Sequence, residues 1–365
     1  MKDIIIDKTG WKKWRFDEFA QNISERVEPS QTDLDVYVGL EHIDPDTLHL
    51  SRHGHPSDVE GTKLRFYKGD IIFGRRRAYQ RKTALATTNG ICSAHAMVLR
   101  AKQEVVDPSF FPFLFHSKQF IDMAITISVG GLSPTINWKD ICKQEFLLPP
   151  KEEQKRLAEL LWAADEMIEK EKKELEKVKS YSDALQTTIF QTNINQTTRL
   201  CDIANIIMGQ SPDGLSYNEL KEGVPFLQGN SEFTDKYPIA VKYTTAPTKM
   251  ANAGDILMSV RAPVGAINIA DKSYCIGRGL CAISSKSGNN NYLRFLIQSK
   301  LTELDRISTG STFKAINSND LKSLEVPSKE QDVSLLLECE KVITNLNYCI
   351  CKCKQLKQEL INKIF

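Results

Sequence analysis

The stretch Leu148-Pro149-Pro150-Lys151-Glu152-Glu153-Gln154 marks a change in the character of the sequence. Residues 152–190, which begin within this stretch, contain no glycine or proline. They are rich in Glu, Lys, Leu and Ala, which favour helix. Proline is common immediately before a helix and in its first turn, and it disrupts a helix interior. The stretch therefore predicts the start of a long helix, preceded by a region of a different kind.

The same pattern occurs a second time, and residues 329–365 again lack glycine and proline. The matched stretches are FYKGDIIF (66–73) with NAGDILM (252–258), INWKDI (136–141) with INSNDL (316–321), and LPPKEEQ (148–154) with VPSKEQ (326–331). The separation of matched residues falls from 185 (Gly69 to Gly254) to 178 (Leu148 to Val326), as expected if loops vary in length within a common framework. The chain is predicted to be a tandem duplication.

Each copy contains a globular part and a helical part. In the globular parts, short β-like runs are separated by Gly, Pro and Asn and are followed by a helical segment. The β-like runs are residues 36–40, 70–73, 96–100, 255–260 and 266–269, and the helical segments are 108–125 and 291–307. We therefore predict an α+β fold with two tandem globular domains, 1–150 and 193–327, each followed by a long helix, 151–192 and 328–365.

Apolar residues recur at alternating spacings of three and four along both predicted helices, which is the pattern of a coiled-coil seam. A shift of 175 residues superimposes one stripe on the other, for example Ile189 on Ile364. Because neither helix can bury its stripe alone, we predict that the two pair as an antiparallel coiled coil with pseudo-two-fold symmetry. The predicted seam residues are Leu161, Ile168, Leu175, Val178 and Leu185 on the first helix, and Leu336, Ile343, Ile350 and Leu360 on the second. Two unrelated surface helices are the alternative interpretation.

The charge of the chain is nearly balanced overall but locally concentrated. Its 365 residues carry 48 Lys and Arg against 46 Asp and Glu, a formal net charge of +2, which excludes a histone-like polycation. Residues 63–82 nevertheless contain eight basic residues and one acid, Asp70, as a surface that contacts DNA phosphates and guanine edges requires. The DNA-binding candidates in this run are Arg75, Arg76, Arg77, Tyr79, Arg81 and Lys82. If the strand continues through the three arginines, they alternate between faces and two of them reach DNA; a solvated basic hairpin is the alternative.

Glycine-rich loops recur in both copies, VGGLSPT (129–135) and STGSTFK (308–314), at matched distances before the Ile-Asn pair. Glycine permits close approach to a phosphate, and hydroxyl groups donate hydrogen bonds to it. MGQSP (208–212) is a similar loop, and Arg261 stands in the second copy where the first has its basic run. These segments add the candidates Gly131, Ser133, Gln210, Ser211, Arg261, Ser311, Thr312 and Lys314, with ordinary turns as the alternative. Because the copies differ here, the predicted target is bipartite and asymmetric.

Signatures of catalysis and of metal binding are weak in this sequence. No Gly-Lys dipeptide occurs, which excludes a P-loop, and the prolines of residues 148–151 lack the amide and aromatic neighbours of an amino-methyltransferase loop. His42, His49, His53 and His55 lie close together, but their surroundings are turn-like and favour a polar loop over a metal site. We therefore predict no catalytic residue, metal or cofactor on this chain. No apolar run approaches the roughly 20 residues of a membrane span, and no signal peptide is evident, so we expect a cytoplasmic protein without a membrane partner.

The order of these features resembles the specificity subunits of type I restriction–modification enzymes. The resemblance rests on a tryptophan-rich opening (Trp11, Trp14) or its counterpart LCDIA (200–204), followed by a Gly-Asp-Ile strand, a glycine loop, a proline stretch and a long helix. This order of elements occurs twice and covers nearly the whole chain.

The resemblance implies two target recognition domains, each of which reads half of a split site in double-stranded DNA, and antiparallel spacer helices that set the gap between the halves. It also implies two methylation subunits docked on the helices and restriction subunits outside them. S-adenosylmethionine would belong to the methylation subunits, and ATP and Mg to the restriction subunits. Two alternatives stay open: a coiled-coil scaffold for protein partners alone, and a self-sufficient DNA methyltransferase or nuclease.

Overall fold

The computed structural model describes residues 6–191, 196–307 and 315–365. The chain forms two compact units, the first made of Met1–Glu174 and Leu346–Phe365 and the second of Leu175–Asn345. Two long helices, α5 (Lys151–Gln191) and α10 (Ser334–Ile364), contribute residues to both units.

Over residues 6–174 and 346–365, the first unit contains ten strands and four short α-helices besides its parts of the long ones. The strands are β1 (Lys12–Arg15), β2 (Ala20–Ile23), β3 (Arg26–Val27), β4 (Tyr37–Val38), β5 (Lys63–Phe66), β6 (Ile71–Gly74), β7 (Thr83–Leu85), β8 (Gly90–Cys92), β9 (Ala96–Ala101) and β10 (Glu145–Leu148). The short α-helices are α1 (Phe16–Phe19), α2 (Phe111–Leu114), α3 (Lys118–Thr126) and α4 (Trp138–Ile141). The strands form two four-stranded sheets, β2-β9-β6-β7 and β3-β5-β8-β4, and one antiparallel pair, β1-β10.

The sequence of β6 explains why its sheet is covered on both faces. Side chains alternate along a strand, so Ile71 and Phe73 point one way and Ile72 the other. Ile71 and Phe73 lie in a core with the phenylalanines of the helices, whereas Ile72 lies in a separate core with Phe66 of the other sheet. A continuous apolar run is the expected sequence of a strand buried on both faces.

The described part of the second unit, residues 175–191, 196–307 and 315–345, repeats this architecture with one additional strand. Its strands are β11 (Thr197–Arg199), β12 (Ala204–Met208), β13 (Tyr217–Asn218), β14 (Val224–Leu227), β15 (Lys242–Thr244), β16 (Met250–Ala251), β17 (Ile256–Ser259), β18 (Ile267–Ile269), β19 (Tyr274–Ile276), β20 (Leu280–Ser285) and β21 (Glu325–Pro327). Its short helices are α6 (Leu200–Ile203), α7 (Asn290–Ser299), α8 (Leu301–Ile307) and α9 (Ser318–Lys322). The sheet β12-β20-β17-β18 has the order of β2-β9-β6-β7, the pair β11-β21 corresponds to β1-β10, and the remaining sheet is β13-β15-β14-β19-β16. The predicted tandem α+β fold is thus confirmed.

The two long helices begin differently. Helix α5 starts at Lys151 directly after the prolines, and the buried Gln154 fastens its first turn by donating to the carbonyls of Pro149 and Val105 at 2.9 and 3.1 Å. Helix α10 starts at Ser334, whereas the predicted segment starts at 328. Glu330 is bound outside the helix, because it accepts hydrogen bonds from Ser287 and Asn289. Asp332 accepts a hydrogen bond from the amide of Ser334, the first helical residue, at 2.9 Å.

The two long helices run antiparallel. In the first unit, Lys357 of α10 contacts Asp165 of α5, and two residues further along α5 Met167 lies 3.8 Å (Sδ to Sγ) from Cys353. Leu161 and Leu360 lie in one core cluster there, and Leu185 and Leu336 lie in one cluster of the second unit. Of the predicted seam residues, Leu161, Ile168, Leu175, Leu336, Ile350 and Leu360 are buried, and Val178, Leu185 and Ile343 are half-buried. The predicted pairing direction is confirmed.

A charged cluster interrupts the apolar seam of the first unit. The side chain of Asp165 is 3% exposed and accepts hydrogen bonds from Lys357 Nζ and His49 Nε2, each at 2.5 Å. Burial raises the pKa of Asp165, but the hydrogen bonds from His49 and Lys357 outweigh it and lower the pKa to about 2. The same hydrogen bond raises the pKa of His49. Because His49 belongs to a loop of the globular part, the cluster joins that part to both helices.

Replacing Asp165 with Asn should destabilise the protein by about 3 kcal/mol, because Lys357 would stay buried without its counter-charge. Chemical denaturation at pH 7 measures the free energy of unfolding, and Glu166→Gln, at an exposed position next along α5, is the matched control. The folded pKa of Asp165 lies below its ordinary value of 3.8, so its contribution is present above that value and is lost as the pH falls to about 2. The variant and the unmodified protein should therefore converge over this range; equal stability at pH 7 would contradict the assignment.

Candidate nucleic-acid interface

The three consecutive arginines leave the sheet at the end of β6. Strand β6 ends at Gly74, Arg77 has a left-handed backbone with φ of 57°, and a 3-10 turn follows at Ala78–Gln80. The regular strand therefore ends before the three arginines, although Arg76 still forms an isolated antiparallel bridge with Thr135. The left-handed conformation turns the chain at Arg77, so regular alternation of side chains across a sheet does not continue past this residue.

This arginine loop (75–77) is bonded to the glycine loop (129–135). The glycine loop closes on itself through paired backbone hydrogen bonds between Val129 and Thr135 at 2.9 and 3.0 Å. Its Pro134 carbonyl accepts the Arg77 amide at 2.7 Å, and Arg77 Nε and Nη2 donate to Ser133 Oγ at 3.2 and 3.1 Å. Two candidate segments that lie 56 residues apart in sequence (Arg77 and Ser133) thus form one surface.

The surface formed by these two loops combines cationic and apolar groups. Arg77 and Gly131 are exposed, and Arg76 is half-buried with its Nη1 3.4 Å from His95 Nε2. Tyr79 is 52% exposed and Leu132 is 96% exposed. Guanidinium groups bind guanine edges and phosphates, and apolar side chains contact thymine methyl groups. Leu132 and His95 were not among the sequence candidates, and no spacing or charge signal distinguishes them.

Arg81 and Lys82 are held by partners within the protein. Arg81 pairs with Asp46 through Nε and donates from Nη2 to the His116 carbonyl at 3.3 Å. Lys82 Nζ donates to the Leu40 carbonyl at 2.6 Å. Burial, and to a lesser degree the charge of Lys357, lowers the pKa of His116 to about 4, so its ring is neutral at pH 7. Arg81 and Lys82 thereby fasten the chain that follows the arginine loop to the body of the domain, whereas Arg76 and Arg77 contact His95 and Ser133 at the surface.

The second unit presents the same backbone framework with different side chains. The Ile316 amide donates to the Val260 carbonyl at 2.9 Å, just as the Ile136 amide donates to the Arg75 carbonyl at 2.9 Å. Arg261 forms a β-bridge with Ala315, as Arg76 does with Thr135. Because the two bridges correspond, Arg261 occupies the duplicated position of Arg76. Its side chain is exposed. The candidates Ser311, Thr312 and Lys314 lie outside the described residues.

Gln210 and Ser211 lie at the same edge of the second unit's sheet as Arg261. The chain passes so close to Gly277 here that a Cβ on Gly209 would come within 2.2 Å of the Gly277 carbonyl oxygen. Gln210 is exposed, and Ser211 Oγ accepts the Arg278 amide at 3.4 Å. The neighbouring Gly279 carbonyl accepts the Val260 amide at 2.9 Å, which brings the exposed Arg278 beside Arg261. Arg278 was missed because it stands alone in the sequence, without a basic run.

The four clustered histidines make separate contacts. The contacts are those of His49 with Asp165, of His42 Nδ1 with the Gly39 amide at 3.1 Å, of His53 Nδ1 with the Gly54 carbonyl at 3.2 Å, and of His55 Nδ1 with the Ser57 amide at 3.2 Å. Across residues 6–191, 196–307 and 315–365, no group of three or more His, Cys, Asp or Glu side chains is arranged to hold a metal ion. Within the same ranges, no helix combines the length and the apolar character that crossing a membrane requires.

The profile of the family described as type I restriction modification DNA specificity domain matches residues 11–180 and 195–333. The chain belongs to this family. It is 30% identical over 318 residues, 79% of this chain and 75% of the relative, to a protein assigned as the type I restriction enzyme MjaX specificity subunit of Methanocaldococcus jannaschii.

Two solved structures are similar over nearly the whole chain. One comes from a study of complex assembly and conformational transition of the type I R-M system, with 27% identity, coverage of 98% and 97% of the two chains, and a TM-score of 0.65. The other is the HsdS subunit from Thermoanaerobacter tengcongensis, with 26% identity, the same coverage and a TM-score of 0.50. As a type I specificity subunit, the protein is a DNA sequence-recognition component without a catalytic role of its own.

Replacing Arg77 or Arg76 with Ala should weaken binding to the target duplex by about 1–3 kcal/mol, because each would lose a guanidinium contact with a base edge. Fluorescence anisotropy with the target duplex and with a random duplex of equal length measures the change, which should be larger for the target. Lys68→Ala is the matched control, since Lys68 is an exposed cation at the other end of β6. Unchanged affinity in both arginine variants would remove these residues from the interface.

Proposed function

We propose that this subunit recognises a bipartite, asymmetric DNA site, with one half read by a domain comprising residues 1–150 and the other by a domain comprising residues 193–327. The observation that carries the proposal is the pair of matching hydrogen bonds from Ile136 to Arg75 and from Ile316 to Val260. They hold an arginine-rich loop in one unit and a loop with a single arginine in the other on the same framework. Unlike side chains on equivalent backbones read unlike base sequences.

The residues proposed to contact DNA are the candidates named from the sequence, together with one residue added from the structure. In the first unit they are Arg75, Arg76, Arg77, Tyr79, Gly131 and Ser133, with Arg81 and Lys82 as supports of the chain that follows the loop; in the second unit they are Gln210, Ser211, Arg261, Ser311, Thr312 and Lys314, to which we add Arg278. Backbone amides and hydroxyls would contact phosphates and set the register, while Arg76, Arg77 and Arg261 would read base edges.

The helical segments 151–192 and 328–365 are proposed to set the number of unread base pairs between the two half-sites. The helix rise is about 1.5 Å per residue, and the DNA rise is about 3.4 Å per base pair. A change in helix length therefore translates directly into a change in the DNA gap.

The outer faces of α5 and α10 are proposed to bind two methylation subunits. Three pairs of apolar side chains, each 41% exposed or more, recur at the 175-residue offset of the helical repeat: Leu160 and Leu335, Met167 and Val342, Tyr181 and Leu356. Exposed apolar groups in a row are typical of protein interfaces, and a duplicated surface binds two copies of one partner.

The chemistry belongs to the partners in this proposal. The methylation subunits would hold S-adenosylmethionine and flip the target adenine out of the duplex. The restriction subunits, bound outside them, would use ATP and Mg to cleave DNA that lacks the methyl groups. The complex would act in the cytoplasm, where its proposed DNA substrate is found.

Inserting one heptad after Lys172 together with one after Asn347, its counterpart at the 175-residue offset, should lengthen the recognised gap by about three base pairs. A heptad on both helices preserves the apolar seam. Methylome sequencing of a host that expresses the chain with its methylation partner reads out a split adenine-methylated motif, whose halves should stay the same.

The matched control is the insertion after Lys172 alone, which staggers the seam and should abolish methylation. An altered half-site sequence in the paired insertion, or a contiguous motif in the unmodified system, would contradict the proposal.

Replacing both Leu160 and Leu335 with Lys should prevent capture of methylation subunits, because each apolar patch would acquire a charge that must be desolvated on binding. Native mass spectrometry of the co-purified complex should show two methylation subunits for the unmodified chain, one for either single variant and none for the double variant. Glu159→Lys adds a charge at the exposed position next to Leu160 and serves as the control. Two methylation subunits on the double variant would rule out this surface.

A further inference from the structure

A cavity of about 360 Å³ opens in the first unit between its two sheets. Its lining includes the basic residues Arg26, Lys63 and Arg75, the indole of Trp138, and no carboxylate. A pocket of this size that carries positive charge without a neighbouring acid is suited to an anionic group.

Arg75 supplies the most specific feature of the pocket. Its Nε is buried and has no hydrogen-bond partner among the described residues. A buried donor without a partner costs free energy, and such groups in folded proteins usually bind something. The Arg75 carbonyl accepts a hydrogen bond from the Ile136 amide at 2.9 Å, which fixes the backbone of Arg75, and the residue lines the pocket.

Arg26 and Trp138 define, together with Arg75, which chemical groups the pocket can bind. Arg26 is exposed and lines the opening with its positive charge, whereas Lys63 Nζ is engaged with the Gly61 carbonyl at 2.8 Å. Trp138 is held from behind by Phe16, with 5.9 Å between ring centroids, and presents an apolar face. Two guanidinium groups bind the oxygens of a phosphate in a bidentate manner, and an indole face packs against a sugar.

The pocket adjoins the candidate interface. Ala94 and Ala96 line it, and His95 between them lies 3.4 Å from Arg76 Nη1. Arg75 itself is followed directly by the two arginines proposed to reach bases. A nucleotide next to the first half-site would therefore lie within reach of the pocket.

We propose that this pocket binds one backbone phosphate of the DNA, gripped by Arg75 and Arg26, with the adjoining deoxyribose against Trp138. The inference rests on the proposed function, because it presumes that the arginine loop faces DNA. The second unit has Val260 where the first has Arg75, and Ser318 where the first has Trp138. At these described positions the second unit lacks the arginine and the tryptophan, so the phosphate contact is assigned to the first half-site.

The test is the double variant Arg26→Gln, Arg75→Gln in the complex with its methylation subunits. A phosphate contact carries no sequence information, so affinity for the target duplex and for a random duplex should fall by the same factor, about tenfold. The slope of log K against log salt should decrease by about one. Lys68→Gln is the control for the loss of an exposed cation, and Arg75→Lys, which retains the charge, should recover most of the salt slope.

A second measurement locates the phosphate. A set of target duplexes, each with one uncharged methylphosphonate, should show one position beside the first half-site that weakens the unmodified complex and has no effect on the double variant. A loss restricted to the target duplex would mean that a base occupies the pocket, and unchanged affinity for both duplexes would mean that the pocket does not contact DNA. Either outcome overturns the inference while the unmodified complex still discriminates between the duplexes. Loss of that discrimination in the unmodified complex would instead refute the proposed function.

Discussion

Each long helix carries an apolar stripe that it cannot withdraw from water alone, and the rest of the structure depends on where those stripes are buried. In the first unit, Leu161 and Leu360 lie in one cluster with phenylalanines of the globular part, so the helices complete its core. In the second unit, Leu185 and Leu336 do the same. Burial of each such side chain contributes about 1.5–3 kcal/mol. Because the helices belong to each core, the loops at the sheet edge have a fixed position relative to the helix pair within their own unit.

An acidic residue reinforces this attachment at the same position of both copies. Asp165 and Glu340 are separated by 175 residues, the offset of the helical repeat. Asp165 binds His49 and Lys357, whereas Glu340 accepts two hydrogen bonds from the buried guanidinium of Arg294 on α7, at 2.5 and 2.7 Å. A bidentate pair of this kind fixes orientation as well as distance. Both copies thus have an acidic residue at this position, but its cationic partners differ. They come from the His49 loop and α10 in the first unit, and from α7 in the second.

How far the structure could be predicted from the sequence depends on the range of the interactions involved. The helices were predictable because their apolar residues repeat every three or four positions. The duplication was predictable because the matched motifs keep their order. The contacts of Arg81 and Lys82 within the domain were not predictable, since their partners Asp46 and Leu40 lie 35 and 42 residues away in the sequence. The left-handed backbone of Arg77, which directs it to Ser133, carries no marker in the sequence because such a conformation is usually signalled by glycine.

Each globular part begins and ends with two strands that pair with each other. Lys12 lies opposite Leu148 across β1 and β10, and Thr197 lies opposite Pro327 across β11 and β21. The pairing fixes the last strand of each globular part next to its first strand. The point at which the chain enters the following helix therefore does not depend on the residues between the paired strands. On the proposed function, replacing the whole segment between one pair of strands would change one DNA half-site and leave the helices, with their proposed partner surfaces, unchanged. A single genetic exchange would then alter the specificity of the subunit in one step.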